Sequence, residues 1–501
     1  MRLRPSDEHN DELLRNVHPP NWPSPKPRGR YNLIAIGAGT AGLITASGTA
    51  FLGGQSALIE RNLLGGDCLN FGCVPSKALL RAARNVHECR RAKEFGVRLD
   101  QEVQADFGLV MQRMRRLRAR LSHHDSAERV NSFGADVYLG TAKFVDPSHV
   151  EVEGQKLEFR RCVIATGTRP SVPPLPGLDQ VRYLTNETIF SLTELPPRLI
   201  ILGSGVIACE MAQAFRRFGS EVHMIFRSEK LLRKEEPQAS QRLRQQLVLE
   251  GVILHPQSTI QKIEKAGDFI SIEINNKVGQ VKLIADTILL ALGRTPNVDD
   301  LELEAAGIKS GPAGVEVNDY LQTTNPRVYA AGDVCSKFQF AHAADAMARI
   351  CIQNALFFGH KKVSELIIPR CTYTDPEIAH VGLTPEEADA RGIAIDSYRV
   401  ELAEVDRAVL DGEDQGFAVV HTRNGRGEIV GATIMGSHAG EMIGEITLLM
   451  THKMSLAKLA STIHCYPTQV EVLKRIADNY MLGRLTPVMS KILRRLLQWR
   501  R

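Results

Sequence analysis

Two cysteines, Cys68 and Cys73, lie in a glycine-rich segment that begins at Gly65 and ends at Lys77. At this close spacing, at the start of a predicted helix, two thiols can close a small strained disulfide. The N-terminus of that helix would also stabilise a thiolate. Disulfides of this kind are labile and catalytic rather than structural. The pair therefore predicts thiol–disulfide redox chemistry, and two unrelated buried cysteines are the alternative.

A glycine fingerprint precedes the cysteine pair and predicts a first dinucleotide site. Gly37, Gly39 and Gly42 follow a predicted strand, Tyr31–Ile36, and open a predicted helix. Glycines here allow a tight turn and let the backbone approach a pyrophosphate, which then sits on the helix N-terminus. Glu60 ends the next predicted strand, where a carboxylate can accept hydrogen bonds from a ribose.

A second strand–glycine–helix unit predicts a second dinucleotide site. Gly203 and Gly205 follow a predicted strand, and Ala208 takes the third fingerprint position, which that fingerprint allows. Where the first site has a glutamate, this one has Phe226 followed by Arg227. An arginine can pair with a 2′-phosphate that a carboxylate would repel, so the site predicts NADPH. If Arg227 is only a surface residue, NADH is the coenzyme.

Length and composition exclude several classes of protein. The 501 residues suggest about three domains, and 62 basic against 57 acidic residues give too small an excess for a nucleic-acid binder. No apolar run is long enough to span a membrane, and the N-terminus lacks the apolar core of a secretory signal. We therefore predict a cytoplasmic protein without a structural metal site.

Two polar regions are predicted to be solvated. Residues 1–30 carry six prolines and few apolar side chains, which predicts a disordered extension. The arginine-rich stretch 107–133 is predicted to be helical, with its arginines on a solvated face.

The cysteine segment and three further motifs resemble the group I flavoprotein disulfide reductases over about residues 30–485. Those motifs are Ala165–Pro170, Ala291–Asn297 and Tyr329–Asp333. The resemblance implies FAD and NAD(P)H as cofactors and a homodimer as the assembly. It also implies an α/β fold with two Rossmann-like dinucleotide-binding domains and an α+β C-terminal dimerisation domain.

Family organisation places the domain boundaries. We predict an FAD-binding domain that carries the cysteine pair, an inserted NAD(P)H-binding domain, a central FAD-binding part, a dimerisation domain and a basic amphipathic tail. Their predicted ranges are 31–175, 176–298, 299–365, 366–483 and 484–501.

The resemblance also assigns roles to individual residues. Cys68 matches the thiol that meets the substrate, and Cys73 matches the thiol in charge-transfer contact with the flavin. Lys77 matches a lysine beside flavin N5, and Glu210 matches its ion-pair partner. The remaining cofactor-binding positions are Gly66, Thr166, Gly167, Gly293, Arg294, Gly332 and Asp333.

The C-terminal region departs from part of this family. Tyr466 occupies the place where dihydrolipoamide dehydrogenase and glutathione reductase have a histidine base, and Glu471 matches that histidine's partner. Mercuric reductases carry a tyrosine here, so the chain most resembles their branch. His464 is either a displaced base or a buried side chain whose hydrogen-bonding groups have partners. Cys465 is either a third redox thiol or a structural cysteine.

These observations predict an enzyme that passes electrons from NADPH through FAD to Cys68 and Cys73. The acceptor would be a small-molecule disulfide or a thiol-bound metal ion, with Hg²⁺ able to bind at the two thiols. Mercuric reductases usually end in a cysteine pair, and no cysteine follows Cys465, so we do not expect efficient mercury turnover. The alternatives are a dihydrolipoamide dehydrogenase or glutathione reductase-type enzyme, and a redox sensor or membrane-surface electron-transfer protein.

The tail at 484–501 has its own two interpretations. It carries six basic residues and no acidic ones, interleaved with leucines and a tryptophan. Such a helix can bind weakly to an anionic membrane surface. The alternative is a helix that folds back on the dimerisation domain.

Overall fold

The computed structural model describes residues 3–101 and 103–501. The chain forms two compact units: one contains the chain up to Leu231 together with Gln246–Leu366, and the other contains Leu232–Gln245 with Ile367–Arg501. None of the helices in the described ranges combines the length and apolar character needed to cross a membrane.

The first part of the first unit alternates strands and helices. Its elements are α1 (Glu8–Val17), β1 (Tyr31–Ile36), α2 (Thr40–Phe51), β2 (Ser56–Glu60), α3 (Gly66–Asn70), α4 (Cys73–Arg91), α5 (Phe107–Ser122), α6 (Ala127–Ser132), β3 (Asp136–Leu139), β4 (Lys143–Asp146), β5 (His149–Val152), β6 (Gln155–Ile164) and β7 (Thr168–Pro170).

A second group of elements follows. It comprises α7 (Asn186–Ile189), β8 (Arg198–Leu202), α8 (Val206–Phe218), β9 (Glu221–Ile225), α9 (Pro237–Leu249), β10 (Ile253–His255), β11 (Thr259–Ala266), β12 (Phe269–Asn276), β13 (Gly279–Ala285), β14 (Thr287–Leu290), β15 (Arg294–Pro296), β16 (Ser310–Gly311), β17 (Gly314–Val315), β18 (Val328–Ala330) and α10 (Ala341–Leu356).

The first sheet brings four of the predicted motifs to one edge. Its strand order is β3–β2–β1–β6–β5–β4, and β18 pairs in parallel with β6. At the end of β1, Ile36 stands opposite both Ile59 of β2 and Ile164 of β6. Because β1, β2, β6 and β18 run parallel, the loops that follow them meet at the carboxyl edge, where ligands bind in such sheets. All residues of β1 except Asn32 are buried, as is typical of a central parallel strand.

The second sheet repeats this arrangement. Strands β10, β9, β8 and β14 are parallel in that order, so Gly203, Phe226 and Ala291 follow the ends of three adjacent strands. The antiparallel strands β11, β12 and β13 form a separate sheet. Strand β15 pairs with β7, which places Arg294 opposite Pro170.

The second unit is an antiparallel sheet with helices, and it also includes α9 up to Gln245. Its elements are β19 (Arg370–Thr372), β20 (Glu377–Gly382), α11 (Pro385–Ala390), β21 (Ile395–Glu401), α12 (Asp406–Leu410), β22 (Phe417–Arg423), β23 (Ile429–Gly436), α13 (Ala439–Thr451), α14 (Leu456–Ala460), α15 (Glu471–Gly483) and α16 (Pro487–Trp499). The strand order is β19–β20–β23–β22–β21, with α13 and α15 packed on the sheet. The predicted fold class, two Rossmann-like domains with an α+β C-terminal domain, is confirmed.

The prediction of a disordered extension over residues 1–30 is wrong for Glu8–Val17, which form a helix. Helix α1 buries Leu13 and Val17, which are 1% and 0% exposed. Asp7 caps the helix by accepting from the Asn10 N–H and also pairs with Arg115 at 2.5 Å. The polar, proline-rich composition of the segment gave no sign that Leu13 and Val17 lie one helical turn apart. These two buried side chains pack the helix against its neighbours. Met1 and Arg2 lie outside the described residues.

The arginine-rich stretch also differs from its prediction. It forms two helices, α5 and α6, because the Ser126 hydroxyl caps a new helix by accepting from the Arg129 N–H. Arg115 and Arg118 are buried, at 7% and 3% exposure, so a fully solvated arginine face is wrong at these positions. Each buried guanidinium has a hydrogen-bond partner, as burial of a charge requires.

Candidate active site

The two predicted redox cysteines lie side by side. Cys68 is in α3, Cys73 begins α4, and both are free thiols in the structure. Their hydrogen bond to each other raises the pKa of Cys68, which burial raises further, and lowers the pKa of Cys73. The nearby Lys77 ammonium also lowers the pKa of Cys73, against the effect of burial. Because Cys73 stands at a helix N-terminus, where negative charge is favoured, it is the thiol suited to ionise.

An ion pair with a buried carboxylate holds Lys77 near the cysteines. The Lys77 ammonium lies 2.9 Å and 3.1 Å from the two carboxylate oxygens of Glu210 in α8. The Glu210 side chain is 3% exposed and that of Lys77 is 36% exposed. A carboxylate so deeply buried requires a cationic partner. Glu210 therefore fixes where the positive charge of Lys77 is presented.

Close backbone contacts shape the first glycine turn. Gly37 has φ +98°, and a Cβ there would lie 2.5 Å from the Ala165 carbonyl oxygen. A Cβ on Gly66 would lie 2.6 Å from the Cα of Gly39, and one on Gly42 would collide with the Gly37 carbonyl. Larger residues at these positions would force the turn apart. The glycine turn and the redox segment are therefore built in direct backbone contact.

Glu60 lies at the same carboxyl edge, at the end of β2. Its carboxylate accepts from the backbone N–H of Ala38 at 2.6 Å and of Asn62 at 2.7 Å. Burial raises the pKa of Glu60, and these two hydrogen bonds oppose that rise. Each carboxylate oxygen can accept a second bond, which leaves capacity for a ribose. A cleft runs along this edge, lined among others by Gly37, Glu60, Gly140, Thr166 and Asn297.

A polar network joins three motifs to the cysteine segment. Arg294 donates to the Thr168 hydroxyl at 2.7 Å and pairs with Asp67, which directly precedes Cys68, at 3.3 Å. Thr168 in turn donates to Asp333 at 3.2 Å. Burial raises the pKa of the Asp333 carboxyl. The sequence reasoning missed Asp67 and Thr168, although Asp67 stands next to Cys68 and Thr168 lies inside a recognised motif.

The remaining positions of the first site are fixed mainly by backbone contacts. The Thr166 hydroxyl donates to the Asn297 carbonyl at 2.6 Å, and the Asn297 N–H donates to the Gly167 carbonyl at 3.0 Å. Gly293 and Gly332 both have positive φ, at +122° and +81°. With the glycine turn, the acidic residue and these loops at one edge, the residues present fit the FAD that the resemblance implies.

The second glycine turn has the same construction. Gly203 has φ +134°, and a Cβ there would collide with the Ala291 carbonyl. Gly205 caps α8, where a Cβ would meet nothing within 4 Å. At the end of β9, Phe226 is buried and Arg227 is exposed. An exposed guanidinium beside a glycine turn fits a phosphorylated ribose.

The predicted acid–base residues lie in the second unit. The Tyr466 hydroxyl donates to Asp406 at 2.7 Å, and this bond raises the pKa of Tyr466. Glu471 begins α15 and pairs with Arg475 at 3.0 Å. The tyrosine hydroxyl thus bonds to Asp406, a residue that the sequence reasoning missed, rather than to Glu471.

The two residues before Tyr466 whose roles the sequence left undecided differ in their surroundings. The His464 ring lies 3.1 Å from a Glu445 oxygen, and its side chain is 8% exposed. Cys465 is an exposed free thiol. His464 therefore has an acidic partner within its own unit, and its role as a displaced base stays a prediction.

Comparison with known proteins assigns the family. Residues 31–348 match the family model for pyridine nucleotide-disulphide oxidoreductases, and residues 368–477 match its dimerisation domain. The chain therefore belongs to this family, as a group I flavoprotein disulfide reductase. These are FAD-dependent enzymes that use a pyridine nucleotide as electron donor.

Individual relatives divide between two activities. The chain is 34% identical to mercuric reductase from Lysinibacillus sphaericus over 451 residues, which cover 90% of this chain and 82% of that protein. It is 31% identical to dihydrolipoyl dehydrogenase from Chlamydia muridarum, and the match covers 91% of this chain and 98% of that protein. Among solved structures, the chain is similar to the HOCl-induced flavoprotein disulfide reductase RclA from Escherichia coli, solved as a copper(II) complex of a mutant. The two superpose with a TM-score of 0.81 at 25% identity, and the match covers 89% of this chain and 99% of RclA.

Proposed function

We propose that this protein transfers electrons from NADPH to the Cys68–Cys73 pair, and from there to a disulfide or a thiol-bound metal ion. Bound FAD would supply the two-electron relay between the nicotinamide and the cysteines. Its holding residues would be the glycine turn at Gly37–Gly42, Glu60, Thr166 and Asp333. NADPH would lie at Gly203 and Gly205, with Arg227 on its 2′-phosphate.

The observation that carries this proposal is the pair of adjacent thiols with opposite pKa shifts. Cys73 is the more acidic thiol and Cys68 keeps its proton at higher pH. The Lys77–Glu210 pair lies beside them, and Gly66 of the cysteine segment touches the first glycine turn. A structural cysteine pair would require neither an adjacent ammonium nor this contact.

The thiol chemistry follows from standard exchange. The Cys68 thiolate attacks one sulfur of the substrate disulfide, forms a mixed disulfide and releases the first substrate thiolate. The Cys73 thiolate then attacks the Cys68 sulfur, which closes the Cys68–Cys73 disulfide and releases the second. Proton exchange between the adjacent sulfurs lets Cys68 become the attacking group. Two adjacent thiolates are also a suitable pair of ligands for a soft ion such as Hg²⁺.

Two features favour a mercuric-reductase-like substrate over lipoamide. Tyr466 stands where the dihydrolipoyl enzymes have a base, and an unperturbed tyrosine pKa near 10 makes it a poor base at neutral pH. Here the bond to Asp406 raises that pKa further. Arg227 beside the second glycine turn favours NADPH over the NAD(H) coenzyme of lipoamide oxidation.

A steady-state screen tests the proposal. Hg²⁺ with excess thiol, oxidised glutathione and lipoamide are each assayed with NADPH and with NADH. We expect NADPH-dependent turnover with at least one acceptor. Cys68→Ser should abolish it while flavin absorbance is retained. Cys89→Ser, which changes a half-buried thiol of helix α4, should be neutral. Undiminished turnover in Cys68→Ser would overturn the proposal. Turnover with lipoamide and NADH alone would favour the dihydrolipoyl alternative.

We also propose a homodimer and the domain boundaries given above. The match to a dimerisation domain over residues 368–477 supports the homodimer and the range 366–483. The longer segment of the second unit begins at Ile367, close to the proposed boundary at 366. A cytoplasmic location remains a prediction.

A further inference from the structure

Helix α16 carries large apolar side chains that the described chain leaves uncovered. None of its residues is buried. Its apolar residues are between 41% and 82% exposed, and they are Val488, Met489, Ile492, Leu493, Leu496, Leu497 and Trp499. At thirteen residues the helix is marginal in water without a surface to pack against.

The apolar and basic residues occupy opposite halves of α16. With 3.6 residues per turn, every one of its large apolar side chains falls within one half of the circumference, centred on Leu496. Lys491, Arg494 and Arg495 fall within the other half. No cation interrupts the apolar half between Val488 and Trp499, so the helix presents one continuous apolar face.

Charge narrows the choice of what covers this face. Residues 484–501 contain six basic residues and no acidic residue. Two copies of α16 packed face to face would cover the apolar halves but would leave the cations of both segments without a counter-charge. An anionic bilayer can satisfy both halves of the helix. Its acyl chains would cover the apolar face, and its headgroup phosphates would pair with the cations.

We propose that α16 is a membrane-surface anchor that lies in the plane of an anionic lipid bilayer. The helix is too short to cross a bilayer, for which about 20 apolar residues are needed. Trp499, 82% exposed, suits the headgroup level, where tryptophan is enriched. This inference does not depend on the proposed catalytic function.

Vesicle co-sedimentation of the full-length protein tests the anchor. One set of vesicles is phosphatidylcholine alone, and the other contains equal amounts of phosphatidylcholine and phosphatidylglycerol. We expect binding to the anionic vesicles at low salt, weak binding to phosphatidylcholine, and release as salt rises, because salt screens the attraction. Removal of residues 484–501 should abolish binding to both.

Two double variants separate the apolar and electrostatic contributions. Arg494→Gln with Arg495→Gln should weaken binding to anionic vesicles roughly 25-fold, at about fivefold for each cation. Ile492→Gln with Leu496→Gln should weaken it more than about a hundredfold, since each buried side chain contributes at least about tenfold. The thermal unfolding midpoint of each variant confirms that the domains remain folded.

Matched controls change the same chemistry elsewhere. Arg116→Gln with Arg120→Gln removes two exposed charges from α5. Leu249→Gln with Leu410→Gln replaces two leucines that are 82% and 70% exposed. Both controls should bind vesicles like the native protein. Full-length protein that stays in the supernatant at low salt would overturn the proposal. So would α16-dependent self-association beyond a dimer without vesicle binding, because a second copy would then cover the face.

Discussion

Cys73 combines three influences that act on a single sulfur atom. It accepts a hydrogen bond from Cys68, it begins helix α4, and it lies near the Lys77 ammonium, all of which favour the thiolate over the thiol. Burial acts in the opposite direction. The net result is a lowered pKa, so Cys73 should stay ionised at pH values where an ordinary thiol is protonated.

This predicts an unusual pH profile for alkylation of the reduced protein. Iodoacetamide labelling of Cys73, followed by peptide mass spectrometry, should persist below the pH at which a free peptide thiol loses reactivity, and should fall only as pH drops through the lowered pKa. Cys68→Ala should move the profile to higher pH, because it removes the largest cause, and Lys77→Met should move it less. A Cys73 profile that neither substitution changes would contradict this assignment.

Arg227 is the residue on which the coenzyme prediction depends. We expect Arg227→Ala to raise the KM for NADPH by about tenfold or more, because a charge-assisted phosphate contact contributes about 1.5–3 kcal/mol. The KM for NADH should change little, since NADH lacks that phosphate. Initial rates with both coenzymes provide the measurement, and Arg182→Ala, which removes another exposed charge, is the control. Equal loss with both coenzymes would count against a 2′-phosphate contact.

Helix α1 is an element whose contacts reach the redox segment. Arg118 of α5 donates to the Asn10 side chain of α1 at 2.7 Å and to the Asn70 carbonyl of α3 at 2.8 Å. The Leu64 N–H, just before α3, donates to the Val17 carbonyl at 3.0 Å. The helix that contains Cys68 is thus supported from the N-terminal segment.

We predict that Leu13→Ala destabilises the protein. Leu13 is 1% exposed, and removing a buried leucine side chain costs about 2–5 kcal/mol in the free energy of unfolding. Arg15→Ala, on the exposed side of the same helix, should cost little. Urea unfolding followed by circular dichroism measures both, with hydrogen exchange over residues 8–17 as a local probe. If both substitutions were neutral, α1 would not be docked in solution.

At the scale of the whole molecule, we propose that the active site is shared between two copies of the chain. The cysteines belong to the first unit, and Tyr466 and Glu471 belong to the second. The resemblance to dihydrolipoamide dehydrogenase and glutathione reductase implies that these residues act on the cysteines of the partner subunit, and the matched dimerisation domain supports a dimer. A monomer would then lack a complete site.

Mixed dimers test this arrangement. Dimers of Cys68→Ser alone or of Glu471→Ala alone should have little activity, because each site lacks one component. A dimer with one subunit of each kind should regain one of its two sites, since the intact cysteines meet Glu471 of the partner subunit. Two different affinity tags allow the mixed dimers to be purified and assayed. If tagged mixed dimers form but stay inactive, the site is complete within one chain.

The sequence alone determined the parts of this protein that depend on local pattern. An apolar run, a glycine turn and a helix start are adjacent in the chain, so both dinucleotide folds and the position of Gly37 and Gly203 at strand ends were predictable. The cysteine pair was predictable for the same reason, because both thiols lie within one short segment.

Only the tertiary structure decided which distant polar groups become partners. Asn10 and Arg118 are 108 positions apart, and Tyr466 and Asp406 are 60 apart. Composition indicated a disordered N-terminal extension and a solvated arginine face. A buried guanidinium is nevertheless stable where a folded neighbour supplies its hydrogen-bond acceptors. That neighbour exists only once α1 has docked, so no local pattern near either residue could reveal the contact.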